Sequence, residues 1–155
     1  MIERRFLEVL SQIYTRLNDM DVDWVVTGSL SFALQGVPVT VNDIDIQTDK
    51  VGAYKIEDLF SEFVVRKTKF SSAEKIRSHF GVLTIDGIKV EVMGDIQKRN
   101  ENGEWEQPTD LAKHKQFVEI EDMQIPVLSL KYEYKAYVKL GRTKRAEMLK
   151  RWLTK

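Results

Sequence analysis

The sequence predicts an α/β (α+β) domain in which a mixed sheet packs one face against helices. Three observations predict it. Apolar residues recur at helical spacing in residues 2–17, in 51–63 and again after Ser129; residues 42–48 and 80–93 alternate with a period of two; and each alternating stretch keeps one polar side, as a half-buried strand does. At 155 residues, 43% apolar and 31% charged, the chain can bury one core but not two comfortable ones, so residues 1–155 are expected to form a single domain.

The elements follow in order. Ile2, Phe6, Val9, Leu10, Ile13 and Leu17 mark an amphipathic helix over 2–17 that Asn18-Asp19 ends. Asp23–Thr27 reads as a buried strand, and Ser29–Gln35 as one or two helical turns closed by Gly36. Asn42–Thr48 sets Asp43, Asp45 and Gln47 on one side of a strand and Ile44, Ile46 and Thr48 on the other. A helix follows over 51–63, burying Ile56, Leu59, Phe60 and Phe63. Two extended runs then flank Asp86-Gly87, a dipeptide suited to a type I′ hairpin turn. In that hairpin Gly81, Leu83, Ile85, Ile88, Val90 and Val92 share the core face, and Glu91 points away from it. Residues 95–110 are polar and read as loop, with Trp105 either covering a ligand or packing locally. Gln116–Leu128 pairs as a second hairpin turning near Glu121-Asp122, with Pro126 suggesting a sheet edge. Residues 129–155 form a helical C-terminal segment, broken at Gly141.

Composition narrows the chemistry. With no cysteine, disulfides, thiolate zinc sites and cysteine nucleophiles are excluded, and His79 and His114 lack a ligand-spaced partner. Any resident metal must then be a hard ion held by carboxylates. No apolar run approaches the roughly 18 residues of a membrane span, and the start, MIERRFLEVL, lacks the apolar core of a signal peptide, so a cytoplasmic protein is expected. Charge is split: residues 131–155 hold nine Lys/Arg against two Glu, while residues 1–130 hold 15 against 22 acids. The basic segment serves either as a solvated helix complementing an acidic body or as a phosphate-binding wall.

The Asp-x-Asp pattern occurs three times, and the sites differ. Asp19, Asp21 and Asp23 lie in a polar link, where solvated aspartates are ordinary. Asp43 and Asp45 alternate with isoleucines, which aims both carboxylates to one face, about 6 to 7 Å apart at the backbone. Such a pair repels itself unless cations join it, and two magnesium ions suit it. Gly28-Ser29, between an apolar strand and a helix start, permits close backbone approach by an anion, although Gly-Ser also serves as a plain turn and N-cap. Glu91, flanked by Val90 and Val92, is the candidate third carboxylate; alone it reads equally as a solvated side chain.

Together these residues resemble the DNA polymerase β-like nucleotidyltransferase superfamily, and look most like its small bacterial and archaeal members near the abortive-infection-type nucleotidyltransferases. The resemblance is carried by Val25-Val26-Thr27-Gly28-Ser29, thirteen intervening residues, Asp43-Ile44-Asp45-Ile46 and Val90-Glu91-Val92, and extends to Ala33-Leu34 and Lys135. It implies a minimal palm-like fold: a mixed, mostly antiparallel sheet with helices on one face and C-terminal helices. It also implies transfer of a nucleoside monophosphate from a nucleoside triphosphate to an acceptor hydroxyl, on a small molecule, a tRNA or a protein, with release of pyrophosphate. Two Mg2+ ions, or Mn2+ in their place, would be held by Asp43, Asp45 and Glu91. Gly28 and Ser29 would hold the triphosphate, Glu91 would help deprotonate the acceptor, and Lys135, then Lys139 or Arg142, would reach the phosphates. The alternative is an inactive nucleotide-binding or regulatory module, such as one member of a toxin–antitoxin pair with a partner protein. Three departures are visible: no arginine in residues 38–42, Arg142-Thr143-Lys144-Arg145 in place of a Lys-Asp pair, and Glu rather than Asp at 91.

Overall fold

The computed structural model describes residues 2–153. In chain order the elements are α1 (Arg4–Leu17), β1 (Trp24–Thr27), α2 (Gly28–Leu34), β2 (Ile44–Thr48), α3 (Lys50–Leu59), a 3-10 turn (Ser61–Phe63), β3 (Val64–Ser72), β4 (Ile76–Ile85), β5 (Ile88–Lys98), α4 (Leu111–His114), β6 (Lys115–Ile120), β7 (Met123–Leu128), α5 (Leu130–Lys139) and α6 (Thr143–Leu153). The seven strands form one sheet in the order β3-β4-β5-β2-β1-β7-β6. Four pairings are antiparallel; β1–β7 and β2–β5 are parallel. This is the mixed, mostly antiparallel sheet that the sequence predicts.

The apolar periodicities define the core. Phe6, Leu10 and Ile13 of α1 and Ile56 and Phe60 at α3 are almost fully buried against Val26, Ile44, Ile46, Leu83, Ile85, Val90 and Val92 of the sheet. Burial of each such side chain stabilises the fold by about 1.5 to 3 kcal/mol. The β4–β5 hairpin has the expected register, Ile85 opposite Ile88 and Leu83 opposite Val90. Asp86 and Gly87 turn it with φ of 49° and 78°, both left-handed as type I′ requires. The second hairpin turns at Glu121 and Asp122, with φ of 48° and 67°.

The second face of the sheet also carries a helix. Phe32 and Val37, in and after α2, bury Leu149 of α6, with Tyr134 and Tyr137 of α5 packed beside them. Tyr132, packed on Val25 and Leu128, brings the start of α5 over the polar side of β1.

Three sequence expectations are corrected. Residues 64–72, where the sequence predicts no element, form β3, whose register against β4 shifts twice and whose side chains are mostly exposed, so it lacks both alternation and an apolar face. Pro126 lies on β7, which is inside the sheet; the edge is β6. The proline is accommodated next to the Val26–Val127 register pair that joins β1 and β7. Finally, β5 runs on to Lys98, where a loop was expected. Between His79–Gly94 and Arg77–Gln97 the register advances two residues on β4 and three on β5, and Asp95 has a φ of 51°. That is a β-bulge, which reverses the facing of every later residue in the strand.

Candidate active site

The site grows from the end of β1. Thr27 is opposite Asp45, and Asp45 is in parallel register with Glu91, so both carboxylates leave the same face of adjacent strands. Asp43 joins them from the residue preceding β2. One oxygen of each carboxylate lies within 4.8 Å of the others. Glycine is required at 28 twice over: its φ is +72°, and a Cβ there would lie 2.5 Å from Oδ2 of Asp45.

The electrostatics are those of crowded anions. Burial, followed by the charges of Asp43 and Glu91, pushes the Asp45 carboxyl up to about 7, with Arg145 and Lys89 opposing. Lys89 supplies a cation inside the cluster, its Nζ 3.0 Å from Glu91 Oε1 and 3.8 Å from Asp43 Oδ2. Hard oxygen donors, mutual repulsion and a lysine drawn among them make this set fit divalent ions.

Behind the turn lies a residue the sequence reading missed. Glu133 of α5 is 3% exposed, and its Oε1 accepts bonds from the Thr27 hydroxyl and from the Gly28 N–H at 3.0 Å. Burial pushes this carboxyl up to about 8, against those two bonds and the nearby Ser31 hydroxyl. Its Oε2 has no hydrogen-bond partner among the described residues. Glu133 is three residues after Leu130 and four before Tyr137, on the inward stripe of the helix, and a charge on that stripe was the available signal.

A cavity of about 340 Å³ extends from the carboxylates beneath α5, lined among others by Gln47, Met93, Lys98, Tyr132, Arg142 and Arg145. The bulge puts Lys98 there: ahead of it Glu91 and Met93 face the cavity, and after it Ile96 and Lys98 do. Lys98 is 8% exposed and donates to Tyr132 Oη at 2.8 Å and Thr109 Oγ1 at 3.4 Å.

The remaining predicted residues are distributed as follows. Gly28 lines the cavity, while Ser29 lines an adjoining groove with Thr40, Lys144 and Arg145. The Gly28 N–H, expected to be free for an anion, is taken by Glu133. Lys135 is exposed and does not line the cavity; Lys139 pairs with Glu106 at 2.7 Å. Helix phase explains the correction, because α5 turns Glu133, Ala136, Tyr137 and Leu140 inward and leaves Lys135 on another side. Arg142 and Arg145 of the C-terminal segment join Lys98 as cations at the cavity. Trp105 does not line it and packs against Arg77, 4.4 Å from the ring centre.

This sheet and its converging acids define a nucleotidyltransferase of the polymerase β-like superfamily. More narrowly, residues 9–150 match the family model of the aminoglycoside-2''-adenylyltransferases, and the chain belongs to that family. Among solved structures it resembles a Thermotoga maritima protein described as a candidate nucleotidyltransferase, with 66% identity over 99% of this chain and 96% of that one and a TM-score of 0.89. The fold also matches the lincosamide antibiotic adenylyltransferase LnuA (14% identity, 96% of this chain, 97% of that one, TM-score 0.58). The antibiotic-resistance factor ANT(2'')-Ia matches at 12% identity over 96% of this chain and 83% of its own, with a TM-score of 0.62. No curated protein matches the sequence.

Proposed function

We propose that this protein is a divalent-metal-dependent nucleotidyltransferase that moves a nucleoside monophosphate from a nucleoside triphosphate to an acceptor hydroxyl. The observation that carries the reading is the approach of Asp43, Asp45 and Glu91 to within 4.8 Å beside the Gly28 turn. Mg2+ ions, two by analogy with two-metal sites, or Mn2+, would be held by these three carboxylates and would neutralise charge developing on the phosphates. Arg142 and Arg145 bind the triphosphate from the helical side, with the Ser29 hydroxyl in the groove that Arg145 shares. Glu133 fixes the Gly28 turn from behind. The acceptor oxygen bonds to the α-phosphorus, the bond from that phosphorus to the bridging oxygen breaks, and pyrophosphate leaves. Glu91, the outermost acid along the strand order, takes the acceptor proton on a carboxylate oxygen.

LnuA is a lincosamide antibiotic adenylyltransferase, and ANT(2'')-Ia is known in complex with adenylyl-2''-tobramycin, which supports an acceptor hydroxyl and ATP as the donor. The test is incubation with labelled nucleoside triphosphates, Mg2+ and cell extract, following both pyrophosphate and label. Metal-dependent release that Asp43→Asn abolishes supports the reading; nucleotide binding without release would assign the chain to the inactive, regulatory class.

A further inference from the structure

Lys98 is a cation that the chemistry at the carboxylates leaves unused. It is 8% exposed, yet it makes no ion pair among the described residues. Its Nζ donates to two neutral oxygens, Tyr132 Oη at 2.8 Å and Thr109 Oγ1 at 3.4 Å, and stands over the Tyr132 ring at 5.0 Å. An ammonium carries three N–H donors, so one is left without a partner among the described residues. Lysine is almost never buried unless an anion accompanies it, because a charge taken out of water is costly. The two hydroxyls bond each other at 3.0 Å, so neither depends on the lysine.

The surroundings of Lys98 set the rest of the chemistry. It lines the same cavity as the three carboxylates, but beside Tyr132, whose ring is stacked on His114 at 4.0 Å. The arginines stand elsewhere: Arg145 lies over Phe32 of α2 at 5.8 Å and Arg142 over Tyr137 at 5.9 Å. Lys98 is therefore not grouped with the cations assigned to the triphosphate. The lining between it and the carboxylates is largely apolar. Met93 follows Glu91 on β5, Ile96 precedes Lys98, Ile76 is opposite Lys98 on β4, and Ala136 and Leu140 come from α5. From Glu91 to Lys98 the strand spans at most about 23 Å, and subtracting the reach of the two side chains leaves roughly 10 to 15 Å for a ligand. At about 340 Å³ the cavity has room for a small molecule of that length, not for a polymer.

We propose that the acceptor is a hydroxylated carboxylic acid with an apolar body, its carboxylate on Lys98 and its hydroxyl at Glu91, and that Lys98 is the residue that selects it. The carboxylate takes the third N–H of Lys98 and supplies the missing counter-charge. The apolar walls take the chain or rings between the two ends of the molecule. The hydroxyl oxygen bonds to the α-phosphorus of the nucleoside triphosphate, the bond from that phosphorus to the pyrophosphate oxygen breaks, and the hydroxyl proton passes to Glu91. This step rests on the nucleotidyltransferase reading, but the acid needs neither metal nor triphosphate to bind.

Binding is therefore measured first, in chelator, by titration calorimetry with two probes of suitable length, ω-hydroxydecanoate and a hydroxybiphenyl carboxylate, and with their methyl esters. The acid should bind about tenfold or more tightly than its ester, the value of one charge-assisted bond in a desolvated site. Lys98→Met, which leaves the bond between Tyr132 and Thr109 in place, should remove that preference, and Lys98→Arg should keep it. Should the Met variant fail to fold, the acid-to-ester ratio of the wild type decides alone. Addition of Mg2+ and labelled nucleoside triphosphate should then label the hydroxy acid and not decanoate, which has no hydroxyl. Equal affinities for acid and ester overturn the proposal, as do absence of binding by both acids and an acid preference that survives in Lys98→Met. Labelling of an aminoglycoside in preference to the acids also overturns it, while leaving the nucleotidyltransferase reading intact. A Lys98-dependent acid preference without pyrophosphate release on any acceptor sinks that reading and keeps the carboxylate site.

Discussion

Glu133 accepts the backbone N–H of Gly28 at 3.0 Å, so a helix from the end of the chain holds the turn that opens the site near its beginning. Burial raises this carboxyl from 4.5 to about 8. An acid whose folded pKa lies above its unfolded one contributes fully below the unfolded value and loses that contribution as pH rises through the folded value. Stability should fall between about pH 4.5 and 8 by up to about 1.4 kcal/mol per unit, since the unfolded chain releases a proton that the folded chain keeps. Glu133→Gln retains an acceptor for Thr27 and Gly28 without that proton, and should make the profile shallower, with Asp45 supplying the fall that remains up to about pH 7. Urea midpoints of both proteins across this range check it; parallel profiles would mean that Glu133 is ionised.

Asp45→Asn removes a carboxylate that burial, Asp43 and Glu91 all disfavour. Without metal the variant should be more stable by about 1 kcal/mol, a rise of roughly 2 to 4 °C in melting temperature. Pyrophosphate release should disappear. Thermal melts in chelator decide the first part, and a lower melting temperature would make Asp45 a structural residue.

Gly28→Ala should cost more than an ordinary surface change. The left-handed backbone alone costs roughly 1 to 2 kcal/mol with a Cβ present, and the new methyl would displace the Asp45 carboxylate. Mn2+ affinity, read by paramagnetic resonance, should fall well beyond what the loss of stability explains.

Arg145 lines both the carboxylate cavity and the Ser29 groove, whereas Lys135 lines neither. Arg145→Ala should weaken Mg2+–nucleotide binding by about tenfold, the value of one charge-assisted bond to phosphate. Lys135→Ala should stay within about twofold. Titration calorimetry on the two variants compares them directly, and the reverse ranking would return the phosphate contact to α5.

What could be read in advance follows from where each residue's information lies. Asp43, Asp45 and Glu91 were legible because each sits beside buried Ile or Val, so strand periodicity fixes its direction. The β4–β5 hairpin was legible because Asp86-Gly87 specifies one turn type. The inward stripe of α5 was not legible, because the apolar Val138 is 53% exposed while the charged Glu133 is 3% exposed, so the stripe runs through the acid and Lys135 lies off it. β3 was invisible because an exposed edge strand with two register shifts has no period to detect. The bulge at Asp95 is set by pairing with β4, a long-range relation that no local pattern contains.

That bulge divides β5 into two lengths of opposite parity. Upstream, odd-numbered positions (Glu91, Met93) face the cavity; downstream, even-numbered positions (Ile96, Lys98) do. Deleting Ile96 just beyond the bulge, with the bulge kept, would leave Glu91 in place and bring Gln97 and Arg99 into the positions that Ile96 and Lys98 hold. A lineage can therefore replace the lower lining of its pocket by a one-codon slip, without touching the cluster of Asp43, Asp45 and Glu91.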